Sequence, residues 1–129
     1  MSATQKILFS LLLFTACTQQ NPAQSNVDAT QLEQLLQKDP SVQLVDLRTP
    51  AELQQTGKIE GARVINFNDA NFQAQIALLD KEKPVVVYCA AGSRSPRAAQ
   101  QMTKMGFKKV YDYKGGMNDW LSKGKKTIR

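Results

Sequence analysis

A cysteine follows a strongly apolar run in the stretch VVVYCAAGSRSPR, which extends from Val85 to Arg97. Three consecutive valines are typical of a strand that is buried on both faces, as in a parallel sheet. Cys89 ends this strand, and the small residues after it allow successive backbone N–H groups to point at one spot. The stretch therefore predicts a loop that binds an anion beside a cysteine sulfur.

A helix is predicted directly after this loop. Ser95 is the predicted N-cap and Pro96 the first helical residue, so the positive end of the helix faces Cys89. A helix N-terminus and a nearby cation lower the pKa of a thiol from its ordinary value of about 8.5. Arg94 and Arg97 supply such cations. We therefore predict that Cys89 is a nucleophilic thiolate and not an inert buried cysteine.

The segment from Cys89 to Ser95 resembles the active-site loop of the rhodanese family of sulfurtransferases. The resemblance covers about residues 28–124. It departs from the family at Lys58, where a histidine is usual, and at Glu60, where a proline is usual. Other family-like pieces occur in order: Asp46-Leu-Arg48 with Glu52, Gly57 to Ala62, and Gly115-Gly116 with Trp120.

The resemblance implies an α/β fold, a single rhodanese-like domain with a five-stranded parallel sheet and helices on both faces. Predicted strands and helices that alternate along the chain favour the same architecture. The implied activity is a sulfurtransferase that moves sulfane sulfur from thiosulfate, or from a persulfide donor, through a persulfide on Cys89. The implied acceptor is cyanide or a thiol, with a thioredoxin-like protein as one candidate. No cofactor and no metal are expected.

Cys89 is the implied catalytic residue, and the loop after it is implied to bind the substrate through Ala90, Ala91, Gly92, Ser93, Arg94 and Ser95. Asp46, Arg48, Lys58 and Arg97 are expected to support the site. We expect Arg48 to pair with Asp46 or Glu52 at the end of a strand; the alternative is that it points into the loop. Lys58 and Arg97, with Arg94, are candidates for holding the anionic group of the donor.

Other functions stay open at this level. Protein tyrosine phosphatases use a related loop with five residues between cysteine and arginine, whereas four separate Cys89 from Arg94. The shorter loop favours a single sulfur atom over a phosphate, and it argues against arsenate reduction as well. The main alternative is a rhodanese-like module with a binding or stress-sensing role and no catalysis. An intact Cys89 and Arg94 argue against that alternative.

The composition excludes several classes of site. A chain of 129 residues allows one domain with a modest core. The absence of histidine removes cysteine–histidine nucleophiles and histidine metal sites, and two cysteines are too few for a zinc cluster. The net charge of +6 is uneven, because residues 89–129 hold ten Lys and Arg against two acids. This basic half attracts small anions, whereas no nucleic-acid partner is expected, since the lysines are not interleaved with aromatic residues.

The N-terminus predicts an export signal. Lys6 precedes an apolar run from Ile7 to Phe14, which is too short to span a bilayer. Small residues before Cys17 resemble the bacterial lipoprotein processing site, so residues 1–16 are a predicted lipoprotein signal peptide with lipidation at Cys17. The alternative is an ordinary signal peptide that leaves Cys17 as a free thiol. Because Thr18 is not an aspartate, the resemblance implies a periplasmic protein anchored to the outer membrane by its lipid.

The remainder of the chain divides into three predicted parts. Residues 17–27 are polar and aperiodic, which predicts a lipid-anchored flexible tether. Residues 28–124 form the predicted rhodanese domain. Residues 125–129 form a predicted basic tail, which either helps to attract small anions or is solvated and frayed. Besides the strand and helix around Cys89, the domain has predicted helices over 28–39, 49–57, 70–79 and 117–121, and predicted strands over 42–46, 61–66 and 110–111.

Overall fold

A computed structural model describes residues 22–129. In these residues the strands are β1 (Gln24–Val27), β2 (Gln43–Asp46), β3 (Arg63–Val64), β4 (Val85–Tyr88) and β5 (Val110–Tyr113). The helices are α1 (Ala29–Lys38), α2 (Pro50–Thr56), α3 (Phe72–Ile76), α4 (Ser95–Lys104) and α5 (Gly116–Ser122). All strand pairs are parallel, in the order β1-β5-β4-β2-β3. The predicted α/β fold with a five-stranded parallel sheet is therefore confirmed.

Strand β4 lies at the centre of the sheet, between β2 and β5, and all four of its residues are fully buried. Alternate side chains of a strand point to opposite faces. Val85 and Val87 pack into a core with α3 and α4, while Val86 and Tyr88 pack into a second core with α1 and α5. The helices thus cover both faces, and none of those within residues 22–129 is long and apolar enough to cross a membrane.

Two helices begin at the caps that the sequence predicts. The Asp28 carboxylate accepts a hydrogen bond from the backbone N–H of Gln31. The side-chain oxygen of Gln31 in turn accepts one from the backbone N–H of Asp28. Thr49 and Glu52 form the same reciprocal box at the start of α2. Such boxes satisfy N–H groups that the first turn of a helix leaves without partners. Glu52 thereby receives a fixed position at the end of β2.

Strand β1 differs from the prediction, because it lies inside the predicted tether. Its backbone pairs with β5 from Gln24 to Val27, and the Lys109 ammonium donates to the Ser25 hydroxyl at 2.6 Å. The tether prediction was therefore wrong for Gln24–Val27. Backbone hydrogen bonds hold this edge strand, so its polar side chains carry no apolar pattern that could reveal it. The predicted signal peptide and Cys17 lie outside the described residues.

The C-terminal segment also differs from the prediction of a frayed tail. Ile128 and Lys58 exchange two backbone hydrogen bonds of 2.8 Å in an antiparallel bridge. The Thr127 hydroxyl donates to the Thr56 carbonyl at 2.7 Å, and the Arg129 guanidinium donates to the Gln54 carbonyl at 2.6 Å. Residues 127–129 are consequently docked against the end of α2.

Two other elements are shorter than predicted. The strand expected over 61–66 is reduced to Arg63–Val64, because β3 is an edge strand with a short register against β2. The helix expected over 70–79 is reduced to Phe72–Ile76, and its N-cap residue Asn71 makes no capping hydrogen bond. The apolar residues of the predicted helix are nevertheless buried. Phe72 and Ile76 lie in the core, and Leu79 joins the same core from the following turn.

A buried ion pair fixes the turn between β2 and α2. Asp46 and Arg48 are 0% and 1% exposed, and the guanidinium donates to both carboxylate oxygens at 2.9–3.2 Å. Arg48 also donates to the Thr56 hydroxyl and to the Gly57 carbonyl, at 2.8 and 2.6 Å. Arg48 thus ties the strand end to the far end of α2, which is the structural role that the sequence favoured.

We expect Arg48→Met to destabilise the fold by about 3–5 kcal/mol, because it leaves the buried Asp46 carboxylate without its counterion. The double variant Asp46→Leu with Arg48→Met removes both charges and should recover much of that loss. Urea unfolding of the full chain measures both free energies of unfolding. A single variant that unfolds within 1 kcal/mol of the wild type, taken as about the size of an exposed ion pair, would contradict this role.

Candidate active site

Cys89 lies directly after β4, at the carboxyl edge of the sheet, and is fully buried. The first turn of α5 holds the backbone there. The N–H of Met117 donates to the Cys89 carbonyl at 2.9 Å, and the N–H of Asn118 donates to the Ala90 carbonyl at 3.0 Å. Both carbonyl groups are thereby bound to α5, on the side where the closing helix packs.

Two glycines allow this close packing. Gly116 has φ +61°, and a Cβ atom there would collide with the carbonyl oxygen of Cys89. Gly92 has φ +87°, and a Cβ atom there would lie 2.6 Å from the Lys114 carbonyl oxygen. Both positions combine a left-handed backbone with a lack of space, so only glycine fits without strain.

The Cys89 sulfur is surrounded by hydrogen-bond donors. The Gly92 nitrogen lies 3.2 Å from Sγ, and the Ser95 Oγ lies 3.7 Å from it. Burial raises the pKa of the Cys89 thiol, but the N–H and hydroxyl of Ser95 and the N–H groups of Arg94 and Gly92 outweigh burial and lower it below its ordinary value. Donors that favour the charged form lower the pKa of an acid. The loop is therefore built to hold an anionic sulfur.

Arg94 is held beside this loop by Glu52. Its two terminal nitrogens donate to the two Glu52 carboxylate oxygens at 2.9 and 2.7 Å, a bidentate pair. The Glu52 carboxylate is the main cause that raises the pKa of Arg94, and the Cys89 sulfur is a smaller one. The Glu52 carboxylate therefore orients the Arg94 cation before any substrate arrives.

The loop residues divide into two groups. Gly92, Arg94 and Ser95 contribute donors to the sulfur. Ala90 is half-buried with its carbonyl bound to α5, and Ala91 and Ser93 are exposed on the outside of the loop. The predicted N-cap role of Ser95 was wrong: α4 begins at Ser95, and the cap position is Arg94, without a side-chain cap bond. The buried Ser95 hydroxyl faces the sulfur instead.

The other predicted supporting cations have different partners. The Lys58 ammonium donates to the Ala62 carbonyl at 2.6 Å. The Arg97 guanidinium lies 5.1 Å from the centre of the Phe67 ring, in a cation–π contact. Their proposed part in holding a donor anion stays a prediction, and it requires each of them to leave its present contact.

Two residues near the site were not predicted to act there. Glu52 was assigned as a helix cap and as an alternative partner of Arg48, yet it also orients Arg94. Asp112 is a fully buried acid on β5; burial raises the pKa of its carboxyl group, and the Ser95 hydroxyl that faces Cys89 partly offsets this rise. A sequence signal exists only for Asp112, because a charged residue in an apolar strand predicts a special environment.

A cavity of about 520 Å³ lies elsewhere on the domain, between α1 and the C-terminal segment. Its lining includes Leu36, Ile59, Trp120 and Lys125, and no residue of the Cys89 loop. The Cys89 loop therefore does not open into this cavity.

We expect Glu52 to stabilise the fold in a pH-dependent way. The Arg94 guanidinium lowers the pKa of the Glu52 carboxyl from 4.5 to about 2, assisted by Thr49 and opposed by burial. Its stabilising effect should therefore be full above pH 4.5 and be lost as the pH falls to about 2.

The difference in unfolding free energy between the wild type and Glu52→Gln should consequently shrink over that interval. Denaturant unfolding at a series of pH values measures it. The other acids titrate in both proteins and cancel in the difference. A difference in unfolding free energy that stays constant from pH 5 to pH 2 would contradict the stabilising role of the ionised Glu52 carboxylate.

Several known proteins with a similar sequence or fold are named as sulfurtransferases. A sulfurtransferase of Allochromatium vinosum is 32% identical over 100 residues, which are 78% of this chain and 91% of that protein. The thiosulfate sulfurtransferase GlpE of Shewanella oneidensis is 39% identical over 80 residues, covering 62% of this chain and 76% of its own. The solution structure of the polysulfide-sulfur transferase homodimer from Wolinella succinogenes superposes with a TM-score of 0.71 at 31% identity, over 82% of this chain and 79% of that one.

A protein-family model also matches most of the chain. Residues 28–123 match the family described as the rhodanese-like domain, which confirms the resemblance seen in the sequence. The matched region contains β4, the Cys89 loop, α4 and β5, in this order. The chain belongs to the rhodanese-like domain family, as a transferase of the rhodanese type.

Proposed function

We propose that this protein transfers sulfane sulfur from thiosulfate, through a persulfide on Cys89, to cyanide or to a thiol. One observation supports the proposal most: the buried Cys89 sulfur faces the N–H groups of Gly92, Arg94 and Ser95 and the Ser95 hydroxyl. Such donors stabilise a negative charge on the reacting atom. The names of the sulfurtransferase of Allochromatium vinosum and the thiosulfate sulfurtransferase of Shewanella oneidensis support the same reaction class.

In the first half of the proposed reaction, the Cys89 thiolate attacks the outer sulfur of thiosulfate. A new S–S bond forms, the bond to the sulfonate sulfur breaks, and sulfite leaves with its electron pair. The negative charge then lies on the terminal sulfur of the persulfide. The loop donors stabilise that charge, and Arg94 stands beside the loop to attract the donor anion.

In the second half, a thiolate or cyanide attacks the terminal sulfur of the persulfide. The acceptor becomes a persulfide or thiocyanate, and Cys89 leaves as the thiolate that began the cycle. A good leaving group requires a low pKa, and the loop donors lower the pKa of Cys89. A thioredoxin-like protein stays a candidate for the physiological thiol.

The proposal is tested on the full chain with Cys17→Ser, in which Cys89 is the only thiol. Thiosulfate should raise the intact mass by one sulfur atom, and cyanide should then remove that atom as thiocyanate. Cys89→Ser in the same background is the matched control and should show neither change. Absence of the mass gain in the chain that keeps Cys89 would overturn the persulfide mechanism and leave the family fold without this activity.

We also propose that Cys17 carries a lipid that anchors the protein to the periplasmic face of the outer membrane. The support is the sequence around Cys17, which lies outside the described residues. Because β1 begins at Gln24, residues 18–23 span at most about 25 Å between the anchor and the sheet. This is shorter than the tether over residues 17–27 expected from the sequence, and it would hold the domain close to the membrane.

The anchor is tested by growing cells with labelled palmitate and separating membranes from soluble protein. The wild type should be labelled and resist a salt wash, because more than one acyl chain gives stable binding. Cys17→Ser should be unlabelled, while its specific activity should equal that of the wild type. Cys89→Ser should be labelled like the wild type. A soluble, unlabelled wild type would show that the signal is not of the lipoprotein kind.

A further inference from the structure

Several connections of the chain meet at the edge of the sheet where the strands begin. Because all strands are parallel, the helices return the chain to this amino edge before the next strand starts. Helix α1 ends there at Lys38, and α4 ends there at Lys104. The N–H of Lys108, before β5, donates to the carbonyl of Lys81, before β4, at 3.0 Å. The connections before β4 and β5 are thus joined along this edge, which lies opposite the edge that carries Cys89.

These connections are rich in lysine. They comprise residues 38–42, 77–84 and 104–109, which we call the lysine edge. Six lysines belong to it, and five of them are exposed. They are Lys38, Lys81, Lys83, Lys104, Lys108 and the half-buried Lys109. The same residues include three acids, so the lysine edge has a net charge of +3.

Half of these lysines are exposed and lack an acidic partner. Lys83 has the Asp80 carboxylate at 3.7 Å, and Lys108 is paired with Glu82. Three exposed lysines form no ion pair within residues 22–129: Lys38, Lys81 and Lys104. The sequence that precedes Pro22 contains no Asp or Glu that could neutralise them. The lysine edge therefore presents a positive field to an anionic partner.

An exposed leucine lies beside these lysines. Leu78 is 83% exposed, more than any other exposed large apolar side chain of residues 22–129. It lies two residues before Asp80, whose backbone exchanges two hydrogen bonds with the Gln43 side chain at the start of β2. Lysines around an exposed apolar side chain are typical of surfaces that bind in the interface of a membrane.

The chain enters the sheet at the same edge. The Lys109 ammonium donates to the Pro22 carbonyl at 2.6 Å, and the N–H of Val110 donates to the Ala23 carbonyl at 2.7 Å. Even a fully extended chain places Pro22 at most about 18 Å from Cys17. The lysine edge is therefore the part of the domain that a lipid on Cys17 would bring closest to a membrane.

We propose that the lysine edge binds the anionic headgroups of a phospholipid bilayer, with Leu78 inserted between them. The inference rests on the proposed lipid at Cys17 only for the way the domain meets the membrane, because lysines attract lipid phosphates with or without it. Each lysine close to an anionic bilayer strengthens binding about fivefold. A short tether makes such weak contacts effective, since it keeps the two surfaces at a high effective concentration.

This orientation places the Cys89 loop on the side away from the membrane. Strand β4 runs from Val85 at the lysine edge to Tyr88, and Cys89 follows at the opposite edge. The distance from Val85 to Cys89 along the strand is about 13 Å. The loop thus faces the aqueous compartment, so the sulfur donor and the acceptor are water-soluble molecules or proteins and not lipids.

Binding is tested on the full chain with Cys17→Ser, which carries no lipid. Vesicles of phosphatidylcholine, with or without phosphatidylglycerol, are sedimented with this parent chain and with a variant. Lys81→Gln with Lys104→Gln should weaken binding to the anionic vesicles on the order of thirtyfold and leave binding to the neutral vesicles unchanged. Residues 1–16 are the same in both chains, so their own affinity for lipid cancels in the ratio.

The matched control removes two exposed charges at the opposite edge of the sheet. Arg97 lies in the first turn of α4, and Lys114 follows β5. Arg97→Gln with Lys114→Gln should bind the anionic vesicles much as the parent does. Equal weakening in the two double variants, or binding of the parent that does not depend on phosphatidylglycerol, would overturn the proposal.

Orientation is measured with a fluorophore on a single cysteine, in a chain with Cys17→Ser and Cys89→Ser. Leu78→Cys places the fluorophore at the lysine edge, and Ser93→Cys places it on the loop; both positions are exposed. A quencher on the headgroups of anionic vesicles should quench the fluorophore at position 78 and not at position 93. Equal quenching, or the reverse pattern, would contradict the orientation. Neither test uses a lipid on the protein or a sulfur donor, so failure here is distinct from failure of the proposed anchor or sulfur transfer.

Discussion

A negative charge on a buried sulfur must be surrounded by donors, and this constraint shapes the region around Cys89. The sulfur ends the most buried strand of the sheet, where water cannot solvate it. The backbone N–H groups of the loop take the place of water. Helix α5 binds the carbonyl groups of Cys89 and Ala90 and so holds the start of the loop in place. The closing helix is thus part of the anion site, although it contributes no side chain to the sulfur.

Two ion pairs keep this arrangement rigid from the other side. Asp46 and Arg48 join the end of β2 to the end of α2. Glu52, in the first turn of α2, then holds Arg94 beside the loop. The Glu52 carboxylate therefore both caps α2 and binds Arg94 beside the catalytic loop. An isolated helix of this length would not be stable in water, so its position depends on these contacts.

Local signals made β4, its loop and α4 predictable from the sequence. The valine run, the small residues and Pro96 each act on their immediate neighbours, so a short window contains all the information. The Glu52 and Arg94 pair was not predictable in this way, because the two residues are 42 positions apart and meet only in the folded sheet. Asp112 stands out in the sequence as a charged residue in an apolar strand, but its surroundings were not predictable, since they depend on which face of β5 meets α4.

The sheet extends beyond the region that the family profile recognises. That region, residues 28–123, omits β1 and also the C-terminal residues that bridge to Lys58. A fragment cut at those boundaries would leave the β1-facing side of the β5 backbone unpaired and turn a protected inner strand into a sheet edge. Exposed edges pair with other chains, which is a common route to aggregation. For this protein, the folded domain extends beyond both ends of the region that matches the family. Soluble fragments should therefore begin before Gln24.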